Sequence, residues 1–143
     1  MTDDLLDLIR SQEGLRLTAY ICPAGYRTIG YGHRVPTLDR PPITEAQAEE
    51  LLRADVHAAE IQALALAPRL TGPRLAALTD LVFNVGATAL HGSGVLGALN
   101  SDNWPDAAAR FRRWDKARVK GELIELPGLK ARRELGARWI EQG

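Results

Sequence analysis

The hydrophobic period changes at Gly14, and that change constrains the fold more than any other feature of the chain. Before it, Leu5, Leu6 and Ile9 recur at helical spacing. After it, Leu15, Leu17 and Ala19 alternate with Arg16, Thr18 and Tyr20, the period of a strand. Thr2 or Asp3 can cap the first helix and Gly14 can stop it. Glu13 then closes the helix, where the negative end of the helix dipole disfavours a charged carboxylate. Pro23-Ala24-Gly25 is a turn signal, and Arg27 to His33 is again strand-like, with Gly30 and Gly32 on one face. The stretch 15–35 predicts a small antiparallel sheet of two or three strands. Glycines in a strand imply that a helix or a ligand approaches the backbone closely. So small a sheet needs helices to pack on.

Helices dominate the rest. Residues 36–42 read as a loop. Thr44 with Gln47 three residues on forms a capping box. The helix it opens runs to about Ala67, and Pro68 ends or kinks it. Thr71 caps a strongly apolar helix through Leu75, Leu78, Leu81, Val82 and Val85, on which Asp80 and Asn84 share a face. A turn at His91 to Gly94 precedes a short helix to Leu99. Another helix spans Trp104 to about Lys116. Val119 to Pro127 is a loop or a short hairpin, and Leu129 to Ile140 is the last helix. About six helices and one small sheet make a mostly helical α+β domain.

Composition bounds the function. A chain of 143 residues can bury a core without metal or disulfide. Its formal charge is zero, so no overall field draws it to nucleic acid or membrane. Residues 1–60 hold six Arg/Lys against ten Asp/Glu, and residues 101–143 hold ten against seven. That asymmetry reads either as steering of an anionic polymer or as complementarity and solvated helix faces. Cys22 is the one cysteine, which excludes an internal disulfide. No spacing of His and Cys suggests a metal site. Residues 1–10 lack the pattern of a signal peptide, and no apolar run approaches membrane length.

The chemistry centres on Glu13. A carboxyl acting as general acid near neutrality needs a raised pKa, and a helix end beside Leu15, Tyr20 and Ile29 predicts one. Cys22 and Thr28 on the sheet can hold a water or stabilise developing positive charge. Such a pairing suits cleavage of a glycosidic bond. On the residues alone, a Glu before a Gly is more often a solvated helix end, and an isolated Cys a small core residue.

The run Glu13-Gly14-Leu15-Arg16-Leu17, Tyr20, Cys22, Gly25-Tyr26 and Thr28-Ile29-Gly30-Tyr31-Gly32-His33 resembles the phage-type lysozymes, glycoside hydrolase family 24. That family has an acid, eight residues, Asp or Cys, five residues, then Thr, and Glu13, Cys22 and Thr28 fit without a gap. Phe83-Asn84-Val85-Gly86 resembles its central helix. Phe111 to Trp114, Leu126 to Leu129 and Arg132-Arg133-Glu134 resemble its C-terminal lobe.

The resemblance implies one lysozyme-like catalytic domain over 1–143. A small sheet-bearing lobe (about 1–60) and a helical lobe (about 61–143) would be joined by a long helix. It implies an endolysin muramidase that hydrolyses the β-1,4 bond between N-acetylmuramic acid and N-acetylglucosamine of peptidoglycan strands. Glu13 would be the acid, and Thr28 with Cys22 would position the water. Arg34, Phe83 and Asn84 would contact substrate. It further implies no metal or cofactor, no nucleic acid, a monomer, and a host-cytoplasmic protein that depends on a holin. A lytic transglycosylase on the same bond and an inactive peptidoglycan-binding module are the alternatives. His33 is expected to pair with an acid, with Asp80 the first guess. One of Arg132 and Arg133 is expected either in solvent or toward the site. Trp104, Trp114 and Trp139 are expected in the core. The best-studied members carry Asp at the position of Cys22, which leaves the stereochemical course open.

Overall fold

A computed structural model describes residues 2–143, apart from the side chains of residues 118 and 119. In chain order the elements are α1 (Asp3–Glu13), β1 (Arg16–Ile21), β2 (Arg27–Gly30), β3 (His33–Arg34) and α2 (Glu45–Leu66). They continue with α3 (Gly72–Val85), α4 (Ala87–Leu90), α5 (Gly94–Asn100), α6 (Trp104–Arg112), β4 (Lys116–Val119), β5 (Glu122–Glu125) and α7 (Pro127–Gln142). The chain divides into two compact units, Met1–Ala58 and Ala59–Gly143. The fold is α+β and mostly helical, with small antiparallel sheets.

In the first unit the Thr2 hydroxyl caps α1 by accepting from the Leu5 N–H at 3.2 Å. Gly14, at φ 69°, ends the helix. Leu5, Leu6 and Ile9 are buried with Ile29 of the sheet and Ala48, Leu52 and Val56 of α2. The sheet order is β1-β2-β3. Tyr20 pairs with Thr28 and Thr28 with Arg34, so these three share one face. The capping box forms: the Thr44 N–H donates to Gln47 Oε1 at 2.9 Å, and the Gln47 N–H to Thr44 Oγ1 at 3.1 Å. A Cβ on Gly30 would meet Ala48 Cβ at 3.4 Å and Ile43 Cδ1 at 3.5 Å. One of the two strand glycines is therefore where a helix approaches.

The second unit has its own core. Leu78, Leu81, Leu90, Leu99, Phe111, Ala137 and Ile140 are all 0–1% exposed, and Trp104, Trp114 and Trp139 pack partly buried against them. A Cβ on Gly136 of α7 would collide with the Phe111 ring of α6, so glycine sets how closely these helices meet.

Three elements differ from the sequence reading, the first being the short helix α4, which the sequence pattern does not predict. The helix from Trp104 ends at Arg112, not Lys116, because the chain turns there: the Arg113 and Trp114 N–H groups bond to the Arg110 and Phe111 carbonyls. The chain then enters a second sheet, β4-β5. Its two-residue loop, Lys120 at φ 52° and Gly121 at φ 83°, has both residues left-handed, the geometry of a tight hairpin turn.

Candidate active site

Glu13 is the last residue of α1 and is partly buried. Its carboxyl lies against the turn between β2 and β3. A Cβ placed on Gly32 would stand 2.7 Å from Glu13 Oε2 and 3.2 Å from its Cδ. Gly32 also has φ +75°, which L side chains rarely adopt. The second strand glycine is thus where an acid, not a helix, meets the backbone. Gly32→Ala would cost about 1–2 kcal/mol in backbone strain and push the carboxyl from its place. A misplacement of that size in a catalytic group costs on the order of a hundredfold in rate. We expect Gly32→Ala to fold with a lowered melting temperature and to lose most activity, read by thermal denaturation and a turbidity assay.

Cys22 and Thr28 come together at the β1-β2 hairpin. The Cys22 N–H donates to the Tyr26 carbonyl at 2.9 Å, and the Gly25 N–H donates to the Cys22 carbonyl at 2.8 Å. Thr28, only 2% exposed, donates its hydroxyl to the same Tyr26 carbonyl at 2.7 Å. Burial pushes the Cys22 thiol up. The Tyr26 N–H, the Thr28 hydroxyl and the Ala24 and Gly25 N–H groups favour the thiolate and outweigh it, so the thiol lies below its ordinary value. The Thr28 hydroxyl has one proton to give. It goes either to the Tyr26 carbonyl or to sulfur, which couples Thr28 to the ionisation of Cys22.

Arg34 is exposed and stacks over the Tyr26 ring at 3.6 Å. In the second unit Phe83 is partly buried against the core. Asn84 Oδ1 accepts from Arg133 Nη2. A guanidinium only donates, so the atom facing it must be oxygen, and the Asn84 NH2 remains to donate elsewhere. Nothing in the sequence pattern marks Arg133 as the residue that orients Asn84.

One expectation is corrected, and two readings that the sequence left open are narrowed. His33 pairs with Asp55 of α2, Nδ1 to Oδ2 at 2.8 Å, and not with Asp80. Asp80 instead binds Arg132, from Nη2 to Oδ1 at 2.7 Å and from Nε to Oδ2 at 3.0 Å. Arg132 and Arg133 are not in solvent; they are 3% and 0% exposed. Arg133 donates to the Trp114 carbonyl at 2.7 Å and has Nη1 3.8 Å from Asp80 Oδ2. Burial, opposed by Asp80 and reinforced by Arg132, pushes its guanidinium down to about 10, still charged at neutral pH. Finally, the basic C-terminal stretch is largely neutralised internally. Arg112 binds Glu134 and Glu141, Arg110 binds Asp106, and Lys130 binds Glu125. Complementarity, not a steering field, accounts for the charge asymmetry there.

Among the described residues no group of three or more His, Cys, Asp or Glu could hold a metal ion. No described helix is long and apolar enough to cross a membrane.

A carboxyl seated at a helix end of one small α+β unit, and a hairpin on which the Cys22 N–H and the Thr28 hydroxyl share the Tyr26 carbonyl, suit the lysozyme class of fold. Residues 10–135 match the family model described as phage lysozyme, and the chain belongs to that family. An endolysin of Acyrthosiphon pisum secondary endosymbiont phage 1 is 43% identical over 132 residues, covering 90% of this chain and 89% of that protein. The muramidase domain of SpmX from Asticaccaulis excentricus superposes with a TM-score of 0.85 at 31% identity, covering 97% of this chain and 95% of that one. The endolysin from Escherichia coli O157:H7 phage FAHEc1 gives a TM-score of 0.82 at 34% identity over 97% and 91%.

Proposed function

We infer that Glu13, Cys22 and Thr28 carry out the reaction of this chain, an endolysin muramidase that hydrolyses the N-acetylmuramic acid to N-acetylglucosamine β-1,4 bond of peptidoglycan. The observation that supports these roles best is the seat of the Glu13 carboxyl against Gly32. A general acid must be held within hydrogen-bond reach of one leaving oxygen, and a carboxyl with no side chain behind it at residue 32 is held so. Glu13 lies at the negative end of the α1 dipole, which opposes negative charge there. Its proton goes to the glycosidic oxygen as the bond breaks. Thr28 and Cys22 hold the water, and the thiolate form of Cys22 supplies a negative charge toward the oxocarbenium-like sugar. Arg34, Phe83 and Asn84 contact the glycan. The Asn84 NH2, presented by Arg133, suits a carbonyl oxygen of an acetamido group.

The amide-lined turn around Cys22 supports a role that a carboxylate could take over. Cys22→Asp is expected to retain much of the wild-type lysis, whereas iodoacetamide should stop lysis by the wild type and leave Cys22→Asp untouched. The alkylation rate should rise at lower pH than for an ordinary thiol, whose pKa is about 8.5, because the folded value is lowered. Alkylation of Cys22 without loss of lysis would remove the thiol from the mechanism.

Digestion of purified peptidoglycan with mass spectrometry of the products tests the reaction itself. Reducing ends are expected; anhydro-muramyl ends would mean transglycosylation, and binding without cleavage would mean an inactive module. We further propose that one domain spans 1–143, that it acts as a monomer without cofactor, and that it waits in the host cytoplasm for a holin to open the path to the wall. Expression with and without a pore-forming partner tests the last point: prompt lysis of intact cells without one would refute it.

A further inference from the structure

We propose that Glu49 of α2 is a positioning residue for Glu13: it takes up the Arg10 guanidinium, one helical turn before the acid, and so keeps that charge from Glu13. Arg10 stands three residues before Glu13 on α1, a spacing that makes their side chains neighbours on a helix surface. A cation in the last turn suits the helix end. The Arg10 carbonyl closes that turn by accepting from the Gly14 N–H at 3.0 Å. The same cation is harmful to a general acid. A guanidinium beside a carboxyl favours the carboxylate, and a carboxylate has no proton to give.

Glu49 resolves the conflict. Arg10 donates from Nε to Glu49 Oε2 at 3.0 Å and from Nη2 to Glu49 Oε1, so one edge of the guanidinium is committed to this carboxylate. Both partners respond. The bond to Glu49 raises the Arg10 guanidinium, and the same bond holds the Glu49 carboxyl below its ordinary value. Asp7 takes Nη1 at 2.8 Å, but it is 73% exposed, where an ion pair is worth little. The pair lies beside the seat of the acid: Tyr31, the residue before Gly32, is near enough to act on the Arg10 charge.

The other ionisable groups at this end of the unit come from three elements. α1 brings Asp7, and the sheet brings Cys22, Tyr31 and His33, of which His33 is paired with Asp55. α2 brings Arg53, which donates to Glu49 Oε1 at 3.1 Å. Glu13 has partners of its own, and these are common to every variant below. The role of Glu49 rests on Glu13 being the general acid. The sign is fixed by that role. Freeing Arg10 stabilises the Glu13 carboxylate, so the acid loses its proton at lower pH and the alkaline limb of the rate profile moves down.

The test follows, against pH in the intact chain, the Glu13 carboxyl carbon by NMR and the rate of turbidity loss of purified peptidoglycan. Glu49→Gln keeps the shape of the side chain and removes its charge. The Arg10 and Glu49 side chains are 27% and 30% exposed, so losing their pair leaves the fold intact. Glu13 should then titrate about one pH unit lower, the low end of what a neighbouring guanidinium does. Above the alkaline limb the rate should fall about tenfold, and the deficit should close as the pH drops below it. Arg10→Met/Glu49→Gln removes the cation with its partner and should return both curves toward wild type. Arg53→Gln leaves Arg10 paired and should move neither. An unmoved Glu13 titration in Glu49→Gln, a shift that survives in the double variant, or one of equal size in Arg53→Gln would overturn the role. The two readouts also separate this role from the muramidase reading. An active enzyme with an unmoved titration removes Glu49 alone; a shifted titration with an unmoved rate profile upholds the link between Glu49 and Glu13 and withdraws Glu13 as the acid.

Discussion

Glu13→Gln is expected to reduce lysis by about two to four orders of magnitude, the range for loss of a positioned general acid. The substitution keeps the side chain's size, so the contact with Gly32 and the end of α1 should survive. Only the transferable proton is removed. The melting temperature should therefore stay close to wild type while the release of reducing ends from purified peptidoglycan falls to background. That pairing separates chemistry from folding. Full activity in a folded Glu13→Gln protein would withdraw Glu13 from the mechanism and with it the water-positioning roles of Cys22 and Thr28.

Asp80→Asn should have the largest effect on stability. Asp80 is 1% exposed and is the carboxylate between two buried arginines, bonded to Arg132 through two nitrogens and 3.8 Å from Arg133 Nη1. Arg132 also has partners beyond Asp80. Neutralising Asp80 leaves two buried guanidiniums repelling each other with their counter-charge gone. Breaking a buried pair from one side costs about 3–5 kcal/mol, a large part of the roughly 5–15 kcal/mol that holds an ordinary domain. Urea denaturation should show a midpoint shifted far down, and α3 and α7, which this cluster ties together, should lose amide protection first. A shift below about 1 kcal/mol, the scale of an exposed pair, would mean that water reaches the cluster. A milder partner experiment is Arg133→Met. It should relieve the crowding of cations yet free Asn84, so activity should fall more than stability.

Local pattern carries much of the fold, and the reason is that local forces build those parts. The switch of period at Gly14, the Thr44–Gln47 box and the Thr2 cap all satisfy backbone groups within four residues. The sheet glycines are legible as points of close approach, but not what approaches: Ala48 of α2 for Gly30 and the Glu13 carboxyl for Gly32. Pairings across long separations are not legible. Nothing in the sequence selects Asp55 over Asp80 for His33, because both are single acids on helices. Arg132 and Arg133 read like a solvated turn of helix, since arginine seldom lies fully inside; Asp80 on another helix draws them in. The β4-β5 segment is not separable into loop or hairpin by its pattern, for a related cause. Its strands, Lys116–Val119 and Glu122–Glu125, have too few alternating positions to outweigh their charges.

The contact between Glu13 and Gly32 has an evolutionary consequence. Two positions nineteen residues apart share one small volume, so neither can drift alone. A methyl at 32 is tolerable only once the acid has shortened, and a shortened acid leaves a gap only a methyl fills. The double variant Glu13→Asp/Gly32→Ala should be less harmful than the sum of the two single effects, a case of epistasis written into one van der Waals contact. Among natural descendants, residue 32 should therefore be a sentinel: wherever it ceases to be glycine, the acid at 13 should be altered too.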